Sequence, residues 1–361
     1  MIPVTKPFLP LIEEYQSYTK SIFQRGWLTN NGPLVNELEL KLKSYLDIPH
    51  LLFLNNGTVA IQIAIKALEL TGEIITTPFS YVATTSSIVW EQCKPIFVDI
   101  DPGSFNIDPL KIEEAITPST SAILATHVFG NPCEIDSIRA IADKHGLKII
   151  YDAAHCFGTT YKGQSIFMYG DISTTSFHAT KLFHTTEGGA VFTQRPELLR
   201  KMALLRNFGH TSPVSFDGVG INAKNSEFHA AMGLCVLHYI EEIRAKREKQ
   251  WLVYKNTLSG KQQIKLMKIT EGTDNYNFSY FPVVFETEKQ LLTTLEALNL
   301  QGVYPRRYFY PSLNTLNYVA KKNCPVSESI SERVLCLPLY HDLTTEDQDM
   351  ICRVILRALN Y

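Results

Sequence analysis

The sequence predicts an α/β protein: a large domain built on a mainly parallel sheet of seven strands, followed by a smaller α+β domain. Three observations lead there. The chain has 361 residues, enough for one large domain and a second with its own core. Up to about residue 193, short apolar runs alternate with stretches of helical spacing, the pattern of a sheet covered on both faces. After Pro196 that alternation gives way to long helical stretches and isolated strands.

Residues 1–30 read as an N-terminal arm: a proline-broken opening, an amphipathic stretch from Leu11 to Phe23, and a Trp27-Leu-Thr-Asn-Asn-Gly-Pro33 turn. Residues 31–240 are assigned to the large domain. Val35, Leu38, Leu42 and Leu46 keep helical spacing. The seven strand candidates are 51–54, 73–77, 95–100, 121–126, 147–154, 173–177 and 190–193, with helices expected at 59–68, 81–90, 135–145 and 197–205. Residues 209–224 read as a glycine-rich loop, and 226–258 as a long, broken helical region. The remainder, 241–361, is the small domain, with a strand expected over 277–285, a helix over 291–298 and a closing helix from Thr345.

Composition narrows the function classes. A net charge of −2 gives no reason to expect a nucleic acid or a membrane surface as partner. The opening residues lack the apolar core of a signal peptide, and no apolar run is long enough to span a bilayer. The seven cysteines are scattered, odd in number and without a Cys-x-x-Cys pair. They predict reduced thiols, a cytoplasmic location and no bound metal.

Four features carry chemistry. Lys181 is the one lysine in the run Ser173–Thr193, among hydroxyls, histidines and apolar residues. It is either a solvated loop lysine or, if desolvated, an amine free to attack a carbonyl, including that of pyridoxal phosphate. Gly57-Thr58 begins a helix after a strand, where free N–H groups and a hydroxyl suit a phosphate; an ordinary cap by Thr58 is the alternative. Tyr81 follows a Pro78 turn, and Asp152 ends an apolar strand. In a parallel sheet such positions lie beyond the carboxyl ends of the strands, where ligands sit. Pyridoxal phosphate needs all four: donors for its phosphate, an aromatic ring face, a carboxylate at its ring nitrogen and a lysine for its aldehyde.

With these motifs in place the chain resembles the sugar-nucleotide aminotransferases of the DegT or StrS family, of PLP fold type I. The likeness runs from Trp27-Leu-Thr through Asn56-Gly-Thr58, Tyr151-Asp-Ala-Ala-His155 and Ser176-Phe-His-Ala-Thr-Lys181…Glu187-Gly-Gly189 to Leu337-Pro-Leu339. It implies Lys181 as the lysine that takes the cofactor aldehyde and moves the proton, and Asp152 as the carboxylate on the pyridinium. It implies His155 near the ring hydroxyl, Tyr81 on the ring face, and Gly57, Thr58 and Ser176 around the phosphate. Asn222 would reach the phosphate from a second subunit; Lys224 stands where the family often has Arg, which weakens any bidentate contact there. Thr29, Arg306 and Arg307 are substrate candidates, the two arginines facing either a diphosphate or solvent. His178 and His184, flanking the lysine, are expected to be structural. The wording of the arm, of Phe79–Thr84 and of Thr180–His184 is most similar to transaminases that aminate dTDP-4-keto-6-deoxy-D-glucose with L-glutamate for O-antigen or a related glycan. A C3 transaminase on a dTDP-3-keto-6-deoxyhexose is the alternative. A dehydratase of this fold, which has histidine in place of the lysine, and a non-catalytic regulator fit less well. The resemblance also implies a homodimer with shared active sites.

Overall fold

The computed structural model describes residues 1–360. Its central sheet has seven strands: β1 (Leu51–Leu54), β2 (Glu73–Thr76), β3 (Lys94–Phe97), β4 (Thr120–Thr126), β5 (Lys148–Asp152), β6 (Ile172–Ser176) and β7 (Gly189–Phe192). Across the sheet they run β1-β7-β6-β5-β4-β2-β3. Every neighbouring pair is parallel except those of β7, which is antiparallel to both β6 and β1. Connection chemistry explains the exception. Parallel neighbours require a crossover, usually helical, whereas the β6–β7 link folds back on itself without a helix, so β7 must return alongside β6. Lys181 lies in that link.

Eleven helices follow in chain order: α1 (Ile12–Arg25), α2 (Pro33–Leu46), α3 (Gly57–Ala67), α4 (Val82–Trp90), α5 (Ile135–His145), α6 (Pro196–Arg206), α7 (Glu227–His238), α8 (Ile240–Leu258), α9 (Glu288–Leu300), α10 (Pro325–Arg333) and α11 (Thr345–Ala358), counted among the described residues. The sheet separates two cores. On one face Leu38 and Leu42 of α2, Ile138 of α5 and Leu234 of α7 pack on Phe53, Ile123, Ile149 and Tyr151. On the other, Ile63 and Ala64 of α3, Ile88 of α4 and Met202 of α6 pack on Leu52, Ile74, Leu124, Ile150 and Val191. Successive residues such as Ile123 and Leu124 thus face opposite cores, the two-residue period of a strand buried on both sides.

Ile240 and Ile243 of α8 still belong to the first core, while Trp251, Tyr254 and Leu258 of the same helix belong to a third. There α8, α9 and α11 cover an antiparallel sheet of Ile264–Leu266, Pro282–Phe285 and Val334–Cys336.

Several expectations need correction. The strand expected over 277–285 is only Pro282–Phe285. The preceding residues leave the sheet because Asn277 turns its amide to the His155 and Phe157 carbonyls at 2.7 and 3.0 Å, and Phe278 takes φ 53°. The strand expected over 95–100 ends at Phe97. The 209–224 loop contains a small hairpin, His210–Ser212 with Ser215–Phe216. The arm also joins a sheet, with Ile2–Pro3 pairing parallel to Val303–Tyr304. The helical region from Ser226 does break, at Tyr239. Among the described residues no helix is long and apolar enough to cross a membrane.

Candidate active site

A cleft of about 280 Å³ opens at the carboxyl ends of the strands. It is lined by Gly57, Thr58, Tyr81, Asp152, His155, Ser176, Lys181 and Arg306, bringing together eight sequence-predicted residues that span 250 positions of chain.

One end is the start of α3. Asn56 caps this helix through Oδ1, which accepts the Val59 N–H at 2.8 Å; Thr58, weighed as the cap, is not. The Gly57 and Thr58 N–H groups therefore keep no hydrogen-bond partner among the described residues, and the positive end of the helix faces the cleft. Ser176 ends β6 directly beside them. A Cβ on Gly57 would stand 2.9 Å from the Ser176 Cβ and 3.2 Å from its Cα, so glycine is what lets helix and strand approach.

Asp152, at the end of β5, is 6% exposed. Its Oδ2 accepts from Thr84 Oγ1 at 2.7 Å and its Oδ1 from the Ala154 N–H at 3.1 Å. Thr84 is held in turn by Ser80, 2.8 Å away, which reaches Thr126 at 3.2 Å. Burial raises the Asp152 pKa, opposed by the Thr84 and Ala154 hydrogen bonds and the Lys181 charge. The carboxylate makes no ion pair among the described residues.

Lys181, half-buried, points its amine at the Tyr280 hydroxyl at 3.4 Å. Burial lowers its pKa, while Asp152 and, less strongly, Tyr308 and Tyr81 raise it. His155 lies between aromatic rings, at 4.7 Å from Tyr280 and stacked with Phe309 at 5.8 Å. Burial, then the charge of Lys181, pushes its pKa well below the usual histidine value. Its Nδ1 accepts the Phe129 N–H at 3.2 Å, which assigns the proton of the neutral ring to Nε2. Tyr81 precedes α4 and is 59% exposed, its ring free on the cleft wall.

Three predicted residues lie elsewhere. Arg307 has its guanidinium bound by Glu288 and the Glu332 carbonyl, both at 2.7 Å, and stacked on Tyr310 at 3.7 Å, and it does not line the cleft. Thr29 and Asn222 are exposed and do not line this chain's own cleft. Asn222 Oδ1 accepts from Lys224 Nζ at 2.8 Å. His178, expected to be structural, lines the cleft, whereas His184 is buried.

Sequence reasoning missed Thr84, Ser80, Tyr280, Tyr308 and Glu187 as cleft or supporting residues. For one pair the signal was two hydroxyls four residues apart, Ser80 standing before the helix and Thr84 within it. None existed for Tyr280, which is 99 residues from Lys181.

Known proteins of one family resemble this chain over nearly its whole length. The model of the DegT/DnrJ/EryC1/StrS aminotransferase family matches residues 11–356. A dTDP-4-amino-4,6-dideoxy-D-glucose transaminase of Escherichia coli is 39% identical over 367 residues, covering 98% of both chains. One of Shigella dysenteriae is 41% identical over 358 residues, covering 98% of this chain and 97% of that one. Among solved structures, DesI in the presence of its TDP-sugar product superposes with a TM-score of 0.93 at 31% identity, over 99% of this chain and 93% of that chain. The chain belongs to the DegT/DnrJ/EryC1/StrS aminotransferase family.

Proposed function

We propose that the protein transfers the amino group of L-glutamate to dTDP-4-keto-6-deoxy-D-glucose, giving dTDP-4-amino-4,6-dideoxy-D-glucose, with pyridoxal 5′-phosphate as cofactor. The observation that carries this reading is full-length similarity to two transaminases of that product, joined to a cleft with a lysine amine and a buried, ion-pair-free carboxylate.

The residues fit the cofactor. Unpartnered N–H groups at Gly57 and Thr58, with the Thr58 and Ser176 hydroxyls, suit a phosphate. Asp152 makes no ion pair among the described residues and would hold the ring nitrogen protonated. Tyr81 would cover a ring face, and His155 Nε2–H would donate to the ring hydroxyl. When bound, pyridoxal phosphate supplies the aldehyde that accepts an amine and a ring that draws electrons from the neighbouring carbon.

The chain's own residues then divide the work. Lys181 Nζ, depressed in pKa by burial, takes the proton from the carbon bearing the glutamate amine and in the second half-reaction returns one to sugar C4. With the cofactor bound, Asp152 would stay ionised, its charge balanced by the ring nitrogen it would hold protonated. Arg306, at the cleft wall and without a carboxylate partner among the described residues, meets the anionic part of the substrate. The product would enter O-antigen or a related glycan, in the cytoplasm, in keeping with seven free cysteines.

A homodimer fits the remaining residues. Thr29 and Asn222 sit on segments joined by the Glu227 N–H to the Leu28 carbonyl at 2.9 Å, amid exposed Phe23, Trp27, Leu28, Phe208 and Ile221. In a dimer they would complete the neighbouring site.

The test is to incubate the purified protein with pyridoxal phosphate, L-glutamate and dTDP-4-keto-6-deoxy-D-glucose and identify the product by NMR. A 4-amino product formed by the wild type and absent with Lys181→Ala supports the reading. Formation of 2-oxoglutarate with no turnover of that sugar would remove the sugar and keep the transaminase. Equal turnover by Lys181→Ala would remove the lysine's role.

A further inference from the structure

The peptide that carries Lys181 is pinned from a distant part of the chain. Its N–H donates to the His178 carbonyl at 2.9 Å, a bond within the β6–β7 link. The other end of the same peptide unit, the Thr180 carbonyl, accepts from Thr5 Oγ1 at 3.2 Å, 175 residues away. Three residues beyond the lysine, His184 Nδ1 accepts the Thr186 N–H at 3.2 Å. That leaves Nε2 as donor to the Phe8 carbonyl at 2.7 Å. Residues 5–8 thus grip the link on both sides of Lys181.

The arm is itself tied to the C-terminal part of the chain. Ile2–Pro3 pairs with Val303–Tyr304, the Val4 carbonyl accepts the Leu339 N–H at 3.1 Å, Lys6 meets Asp342 at 2.9 Å, and the Phe8 ring lies 4.9 Å from His341. Tyr304 stands two residues before Arg306. One short segment therefore connects the wall bearing Arg306 and Tyr308 to the link bearing Lys181.

We propose that Thr5 and the His184–Phe8 pair are positioning residues for Lys181, holding its peptide plane so that the amine keeps its place in the cleft. The inference rests on Lys181 being the reactive amine, but its first readout does not. Thr5 is the clean point of attack, since Thr→Val removes the hydroxyl and keeps the shape. Hydrogen exchange of the full-length protein, with and without added pyridoxal phosphate, should show residues 178–186 exchanging about five- to tenfold faster in Thr5→Val. The sheet strands should be unchanged, and Thr5→Ser should restore the wild-type rate. In turnover, kcat should fall by about the same factor with KM for L-glutamate unchanged, again rescued by Thr5→Ser. Unaltered exchange in 178–186 overturns the proposal. Exchange accelerated evenly across the whole sheet also overturns it, because Thr5 would then contribute only to global stability. If transamination itself is absent, the exchange result stands and the failure lies with the proposed activity.

Discussion

Replacing Asp152 by Asn should shift stability and cofactor affinity in opposite directions. In the protein without cofactor the carboxylate is almost fully buried, with two hydrogen-bond donors and no ion pair among the described residues. Burial raises its pKa. Between the ordinary aspartate value and that raised value the folded protein binds more protons than the unfolded chain, so stability falls as pH rises through this window and stays reduced above it. Asn carries no charge to desolvate. Its amide can donate to Thr84, whose hydroxyl then turns to Ser80 at 2.8 Å, while its oxygen still accepts the Ala154 N–H, so both hydrogen bonds of the side chain are kept. Asp152→Asn should therefore melt higher than wild type near pH 8, and the difference should vanish as pH drops below the usual carboxylate range. With pyridoxal phosphate the order reverses. A hydrogen bond to a charged partner is worth about 1.5–3 kcal/mol, so losing it should weaken cofactor affinity roughly 10- to 150-fold. Thermal melts across pH and an absorbance titration with pyridoxal phosphate measure both effects. Unchanged cofactor affinity in Asp152→Asn would refute the assignment of this carboxylate to the ring nitrogen.

Other perturbations follow from the same geometry. Gly57→Ala puts a Cβ 2.9 Å from Ser176 Cβ and 3.3 Å from the Thr175 carbonyl oxygen. It should cost about 1–3 kcal/mol in urea denaturation and weaken pyridoxal phosphate binding by displacing the α3 N-terminus. Thr84→Val removes the 2.7 Å donor to Asp152, so it should destabilise by about 1–3 kcal/mol near pH 8 and by less near pH 4, where a protonated carboxyl needs the donor less. Glu227 is fully buried and accepts the Leu34 and Val35 N–H groups at 3.0 and 2.9 Å. Glu227→Gln should lower stability by about 1–3 kcal/mol, read as a shifted denaturation midpoint, because its amide oxygen can accept one of the two N–H groups and its amide nitrogen cannot accept the other.

Much of the site was legible because local pattern encodes local structure. Gly57 follows an apolar run short enough to be a strand, Asp152 ends one, and Lys181 follows a short hydroxyl-rich strand; a parallel sheet collects what its strand ends carry. Asp152 was singled out as the end of an apolar strand and Lys181 as the one lysine in a run of hydroxyls, histidines and apolar residues. Arg306 and Arg307 stayed open between a diphosphate and solvent because neighbours along the chain have the same chemistry, and only the fold turns one to Glu288 and the other to the cleft. The 277–285 strand was overcalled because Asn277 and Phe278 sit in an aromatic-rich run of strand-like composition, while the tertiary contact with the His155 carbonyl sends them off the sheet.

By itself, then, the sequence determined the class of the fold, the strands that build its sheet and the identity of the charged groups at their ends. Burial periodicity and turn chemistry are short-range properties, and they need no knowledge of what packs where. The tertiary structure alone decided which distant side chains close the cleft: Tyr280 against Lys181, Thr84 under Asp152, Phe129 on His155, and the arm across the lysine link. Those meetings depend on strand order and on how α8 carries the chain from one core to another. They also set the electrostatics, since desolvation, which shifts Asp152, His155 and Lys181 alike, exists only once the surrounding chain has folded over them.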